Sequence, residues 1–146
     1  MAAPYTGRCN CGAVTVTIAA EPVATRQCWC RQCQRAAAGG PTNNALFPVE
    51  AMTTTGTRAE HAYVAASGNI LTHEFCAACG TPVLARTNAR PQFRTVRLGL
   101  LDEGHGLRPA MAIWTDEAPG WAVIDPALER WPGQPPAPVP APPATS

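Results

Sequence analysis

Apolar residues recur along this chain in short runs with a two-residue period rather than in helical stripes. Val14, Val16 and Ile18 alternate with Thr15 and Thr17, the pattern of a strand with one face buried. Residues 45–49, 62–66, 71–75 and 82–85 are further short apolar runs of the same kind. Residues 95–101 and 110–114 predict a strand pair joined by the loop 102–108 with its two glycines, and residues 121–124 predict a last strand. Helical periodicity is confined to residues 31–38, enough for a turn or two before Gly39-Gly40-Pro41 stops it. The expectation is an all-β fold, a sandwich or barrel-like assembly of small antiparallel sheets.

At 146 residues with 46% hydrophobic content, the chain fits one domain with a real core. The last stretch, 132–146, holds seven prolines in fifteen residues, and Val139 is its one sizeable apolar group. It cannot bury enough surface to offset ordering, so a disordered or polyproline-like tail is expected there, behind a domain spanning residues 5–131.

A net charge of +1 provides no field for nucleic acid or an anionic membrane, and no partner of either kind is expected. No apolar run approaches the length of a membrane span, and the N-terminal residues contain no signal-like apolar stretch. A cytoplasmic location is therefore expected, where clustered cysteines favour metal over disulfides.

All seven cysteines fall in three clusters, Cys9-x-Cys11-Gly12, Cys28-x-Cys30-x-x-Cys33 and Cys76-x-x-Cys79-Gly80. Core cysteines scatter, whereas a zinc ion needs several thiolates converging at about 2.3 Å. The first and last clusters both end Cys-Gly, as a knuckle folding back around an ion requires where φ turns positive. Cys9, Cys11, Cys76 and Cys79 together predict a closed, structural tetrahedral site.

Cys28, Cys30 and Cys33 supply three thiolates and leave one coordination position without an evident ligand, which is how catalytic zinc is commonly held. The alternative is a fourth ligand from His61, His73 or His105, making this site structural as well. Arg31 and Arg35 flank Cys33 and could pair with carboxylates, or be solvated surface. Asn43 and Asn44, in the polar stretch after Gly40, are candidate ligand-binding groups; Trp29 could wall the site or simply pack.

The order Gly7-Arg8-Cys9-Asn10-Cys11-Gly12-Ala13-Val14, Cys28-Trp29-Cys30-Arg31-Gln32-Cys33, Phe75-Cys76-Ala77-Ala78-Cys79-Gly80-Thr81-Pro82 resembles the glutathione-dependent formaldehyde-activating (GFA) family, which includes S-(hydroxymethyl)glutathione synthases. Residues 96–102, Ile113-Trp114 and Pro119-Gly120-Trp121 resemble its later half. The resemblance implies a zinc-stabilised β fold with a structural zinc on Cys9, Cys11, Cys76 and Cys79. It places a second, more labile zinc at Cys28, Cys30 and Cys33, which it makes the catalytic residues.

It also implies a carbon–sulfur lyase or adduct-forming enzyme that joins glutathione, or another low-molecular-weight thiol, to formaldehyde or another small electrophile. The partners would then be a small thiol and an aldehyde or thioether-type substrate. The alternative, from another class, is a zinc-scaffolded binding module or a thiol carrier without turnover. Two local departures stand out. Ala38 precedes Gly39 where the family commonly has its glycine, through either a longer loop or a replaced glycine. Ala112 stands where the family often has histidine.

Overall fold

The computed structural model describes residues 3–138. Eleven strands are present among them: β1 (Tyr5–Arg8), β2 (Thr15–Ile18), β3 (Ala24–Cys28), β4 (Thr42–Pro48), β5 (Met52–Thr55), β6 (Arg58–Val64), β7 (Ile70–Cys76), β8 (Pro82–Thr87), β9 (Phe93–Arg97), β10 (Met111–Ile113) and β11 (Glu129–Arg130). A single short helix, α1 (Arg31–Ala36), follows β3. The all-β expectation holds.

The strands form two sheets, one of three strands in the order β1-β2-β5 and one of eight in the order β11-β10-β3-β4-β9-β8-β7-β6. The larger sheet is antiparallel from β3 to β6 and parallel where β10 meets β3 and β11, so it is mixed and larger than the small antiparallel sheets expected.

Two expectations are corrected. Residues 95–101 and 110–114 do not pair: β9 lies between β4 and β8, and β10 runs alongside β3. The reason is directional. β3 and β9 both run antiparallel to β4, and β10 is parallel to β3, so β9 and β10 point the same way and no hairpin can join them. Residues 121–124 form no strand: a turn over 119–122 closes with Ala122 N–H donating to the Pro119 carbonyl at 2.9 Å, and 122–124 are irregular. Trp121 and Val123 are 69% and 90% exposed.

Side chains alternate across the large sheet, and its two faces do different work. On one face Ala45, Phe47, Val83 and Val96 pack against Tyr5, Val16 and Ile18 of the small sheet, making the main core with Val14, Leu98, Leu100 and Leu101. Tyr5 and Phe47 bridge the layers with ring centroids 5.7 Å apart. Gly7 is required here, because a Cβ would run into the Leu100 backbone where β1 bridges to Leu101. The opposite face carries Ala24, Arg26 and Cys28 of β3, Asn44 and Leu46 of β4, and Phe93, Thr95 and Arg97 of β9, all lining one cavity.

The first residues of the Pro-rich stretch engage the domain. The Pro132 and Gly133 carbonyls accept hydrogen bonds from the Asp116 and Trp114 N–H groups, and Gln134 Oε1 accepts from Trp114 Nε1 at 3.1 Å. Pro135 is buried. Residues 139–146 of the expected tail lie outside the described residues. No helix among the described residues is long and apolar enough to cross a membrane.

Candidate functional site

The first and last cysteine clusters form two matching knuckles at the edge of the main core. Cys9 N–H donates to the Val14 carbonyl at 3.0 Å and Cys76 N–H to the Thr81 carbonyl at 3.0 Å, each spanning five residues. Gly12 (φ 80°) and Gly80 (φ 76°) take the left-handed conformation that lets each chain turn back. Asn10 N–H donates to Thr81 Oγ1 at 3.1 Å, tying one knuckle to the other.

The four sulfurs lie within 4.8 Å of one another. Cys9 Sγ is 3.6 Å from Cys11 Sγ, and Cys11 Sγ is 3.8 Å from Cys76 Sγ. Four thiolates at zinc's bond length have edges of about 3.8 Å, so this donor set fits tetrahedral zinc. Backbone N–H groups of Val14, Ala78 and Cys79 point at Cys9 and Cys76 Sγ, at 3.2–3.4 Å, and favour the thiolate form. Hydrogen bonding from Thr81 pushes the Cys79 thiol down to about 5. None of the seven cysteines is in a disulfide.

The middle cluster sits on different ground. Cys28 ends β3, Cys30 caps α1 with its sulfur accepting from Cys33 N–H at 3.4 Å, and Cys33 lies inside α1. The helix is held by buried Gln34, whose Nε2 donates to the Trp29 carbonyl at 2.6 Å and to the Glu117 carbonyl at 2.9 Å. Trp29 is itself buried, packing below the site instead of walling it.

The three sulfurs converge within 4.8 Å, and among the described residues no histidine or carboxylate joins that set. They also fit a soft, thiolate-binding ion. Hydrogen bonds from Cys28 and Cys30, then the charge of Arg97, hold the Cys33 thiol below its ordinary value. The same contacts push Cys28 up, because its proton is the one retained.

All three open onto a cavity of about 450 Å³, roofed by Tyr63 and His73 on one side and by Trp114, Glu117, Gln134 and Pro135 on another. Tyr63 Oη and His73 Nε2 are 3.3 Å apart. Burial first, and then the Arg97 charge, lower the His73 pKa, so the ring is neutral at pH 7.

Of the ligand-binding groups expected from sequence, only Asn44 lines this cavity. Arg31, Arg35 and Asn43 are exposed and outside it: Arg31 Nη1 bonds Gln34 Oε1 at 2.6 Å, and Asn43 Oδ1 accepts from Gln27 Nε2 at 3.2 Å. The arginines that do face the cavity are Arg26, Arg86, Arg90 and Arg97. Two had a signal in the sequence. Arg26 precedes Cys28 by two residues and so shares its face of a strand, and Arg97 interrupts an otherwise apolar run.

A β fold carrying one four-cysteine and one three-cysteine cluster, each able to hold a metal ion, defines a class of cysteine-rich domains. Residues 4–117 match the family described as glutathione-dependent formaldehyde-activating enzyme, and the chain belongs to that family. The crystal structure of a Rhodobacter sphaeroides protein is similar, with a TM-score of 0.53 and 19% identity over 86% of this chain and 98% of that one, a likeness of fold. No curated protein matches the chain.

At the exit of α1, both Ala38 and Gly39 (φ 111°) turn to positive φ. Ala38 adopts φ 58°, and Gly39 N–H donates to the Gln34 carbonyl at 2.6 Å, the six-to-one bond of a Schellman turn. Ala38 thus sits in the left-handed position that favours glycine.

Proposed function

We propose that this domain adds a low-molecular-weight thiol such as glutathione to a small aldehyde, and cleaves the same carbon–sulfur bond in reverse. The observation that carries this reading is the contrast between the two centres. The four-cysteine set is tied into the core through Cys9 and Cys76, whereas Cys28, Cys30 and Cys33 form the wall of a cavity large enough for a small thiol. Family membership supports the same chemistry.

Cys28, Cys30 and Cys33 would hold the second zinc, which supplies the positive charge that keeps a bound thiol ionised at neutral pH. Trp114 and Tyr63 shield the sulfurs from bulk water, and Arg90 on the cavity wall attracts the thiol's carboxylates. In the forward direction the carbon–sulfur bond forms as the carbonyl π bond breaks, and the thiol's proton ends on the new hydroxyl. Tyr63 Oη, hydrogen-bonded to neutral His73 Nε2, is the wall group able to pass a proton to that oxygen.

Two-dimensional exchange NMR of formaldehyde with glutathione tests the reading. Catalytic amounts of the protein should raise the rate of hydroxymethyl exchange, and Cys33→Ser should remove that increase while the fold persists. Unchanged exchange, together with no binding of any small thiol, would leave a zinc-scaffolded binding module.

A further inference from the structure

The floor of the cavity carries an unused charged rung. Arg26 on β3 stands opposite Asn44 on β4, and Asn44 stands opposite Arg97 on β9. All three side chains face the cavity, one pair of residues along the strands from the rung of Cys28 and Thr42.

Arg97 is only 8% exposed, and its sole hydrogen bond among the described residues is Nη1 to Asn44 Oδ1 at 2.7 Å. Arg97 Nε and Arg26 Nε are both buried with no hydrogen-bond partner. Ion pairs among the described residues involve Arg58 and Arg86, leaving Arg26, Arg90 and Arg97 without a carboxylate. Buried guanidinium donors of this kind are costly unless an anion completes them.

Charge on the wall agrees: Glu117 is the one carboxylate lining the cavity, against the unpaired Arg26, Arg90 and Arg97. A flat carboxylate suits two guanidinium forks flanking an amide.

We propose that the Arg26–Asn44–Arg97 rung binds the carboxylate of the carbonyl substrate, so that the electrophile is a small aldehyde-acid or 2-oxo acid instead of an uncharged aldehyde. This rests on the thiol-addition reading above. The rung lies two residues along β3 and β4 from the Cys28 pair and lines the same cavity as the three cysteines, placing the anion beside the centre that would hold the thiol. The carboxylates of a peptide thiol lie several bonds from its sulfur and reach the cavity's rim, where Arg90 stands. Thiol and glyoxylate would combine as RSH + OHC–COO⁻ → RS–CH(OH)–COO⁻, with the thiol proton ending on the former carbonyl oxygen and no redox change.

The test compares exchange catalysis with glyoxylate and with formaldehyde, each with glutathione and with cysteamine, a thiol lacking a carboxylate. Wild-type protein should prefer glyoxylate in kcat/KM with either thiol. The glyoxylate-to-formaldehyde ratio should fall by about tenfold or more in Arg97→Gln, as loss of a charged hydrogen-bonding partner implies. Arg26→Gln, at a less buried position, should lower the ratio too if Arg97→Gln fails to fold.

An unaltered ratio in a folded Arg26→Gln or Arg97→Gln protein overturns the anion site. A glyoxylate preference seen with cysteamine but not with glutathione, whose own carboxylate would then fill the rung, assigns the rung to the thiol and overturns the substrate class. Catalysis of formaldehyde exchange without any glyoxylate preference refutes this inference alone, whereas no catalysis with any pair removes the thiol-addition reading and this one with it.

Discussion

Cys11 Sγ lies 3.8 Å from Cys76 Sγ across sixty-five residues of chain. That contact joins the entry of β2 to the exit of β7, one strand from each sheet. A metal clip there works on the unfolded chain, by removing the entropy of an open loop, as well as on the folded one.

Loss of a clip closing a loop of this length should cost about 4 kcal/mol by the chain-entropy relation used for cross-links. For a domain of this size that is a large part of total stability. Cys76→Ser should therefore lower Tm by well over ten degrees or leave the protein aggregated, and metal analysis of what folds should show the four-cysteine centre empty. A Cys76→Ser protein with unchanged Tm would mean that packing of Cys9 and Cys76 in the core, and not metal, holds the knuckles together.

The three-cysteine centre predicts the opposite balance. Cys28, Cys30 and Cys33 close a loop of only a few residues and belong to a small satellite cluster with Ile113, Met111, Trp114 and Trp131. Cys33→Ser should keep near-native circular dichroism and lose at least one bound zinc relative to wild type, counted by plasma emission spectroscopy. Damage to the fold equal to that of Cys76→Ser would make this centre structural.

The two cysteine centres were legible from sequence because most ligands of each are neighbours in the chain, and the glycines after Cys11 and Cys79 mark the turns they need. The cavity floor was not, because its rung comes from β3, β4 and β9, and nothing local says that residues 26, 44 and 97 stand side by side. β3 was missed for a related reason. Its cavity face carries Arg26 and Cys28 where a core strand would carry valine or leucine, so the apolar period is absent. Parallel pairing of β10 with β3 leaves no turn signal, which is why a hairpin with β9 looked natural.

Ala38 offers a test that leaves the chemistry aside. It is exposed, and its φ of 58° places a Cβ where the left-handed region penalises one. Ala38→Gly should remove that penalty, partly offset by the greater freedom glycine has when unfolded, and raise stability by roughly 0.5–1 kcal/mol. Urea midpoints with an unchanged m-value would read this directly. A destabilised Ala38→Gly would show that the turn is relaxed elsewhere in the sequence's own ensemble.

His73 gives the pH dependence its sign. Burial, and next the charge of Arg97, lower its pKa in the fold below the ordinary value, while in the unfolded chain it titrates near 6.5. The unfolded state therefore takes up the proton first as pH falls, and stability rises with pH wherever the unfolded state binds more protons. The contribution is fully present above about pH 6.5 and is lost as pH drops below that value towards the lowered one. Wild-type protein should thus lose more unfolding free energy between pH 7.5 and pH 5.5 than His73→Gln, which has no proton to gain. Taking the difference between the two proteins cancels what acid does to the cysteine centres in both. An equal loss in the variant would mean that the folded imidazole takes up its proton as readily as the unfolded one, and burial would then not be what keeps the ring neutral.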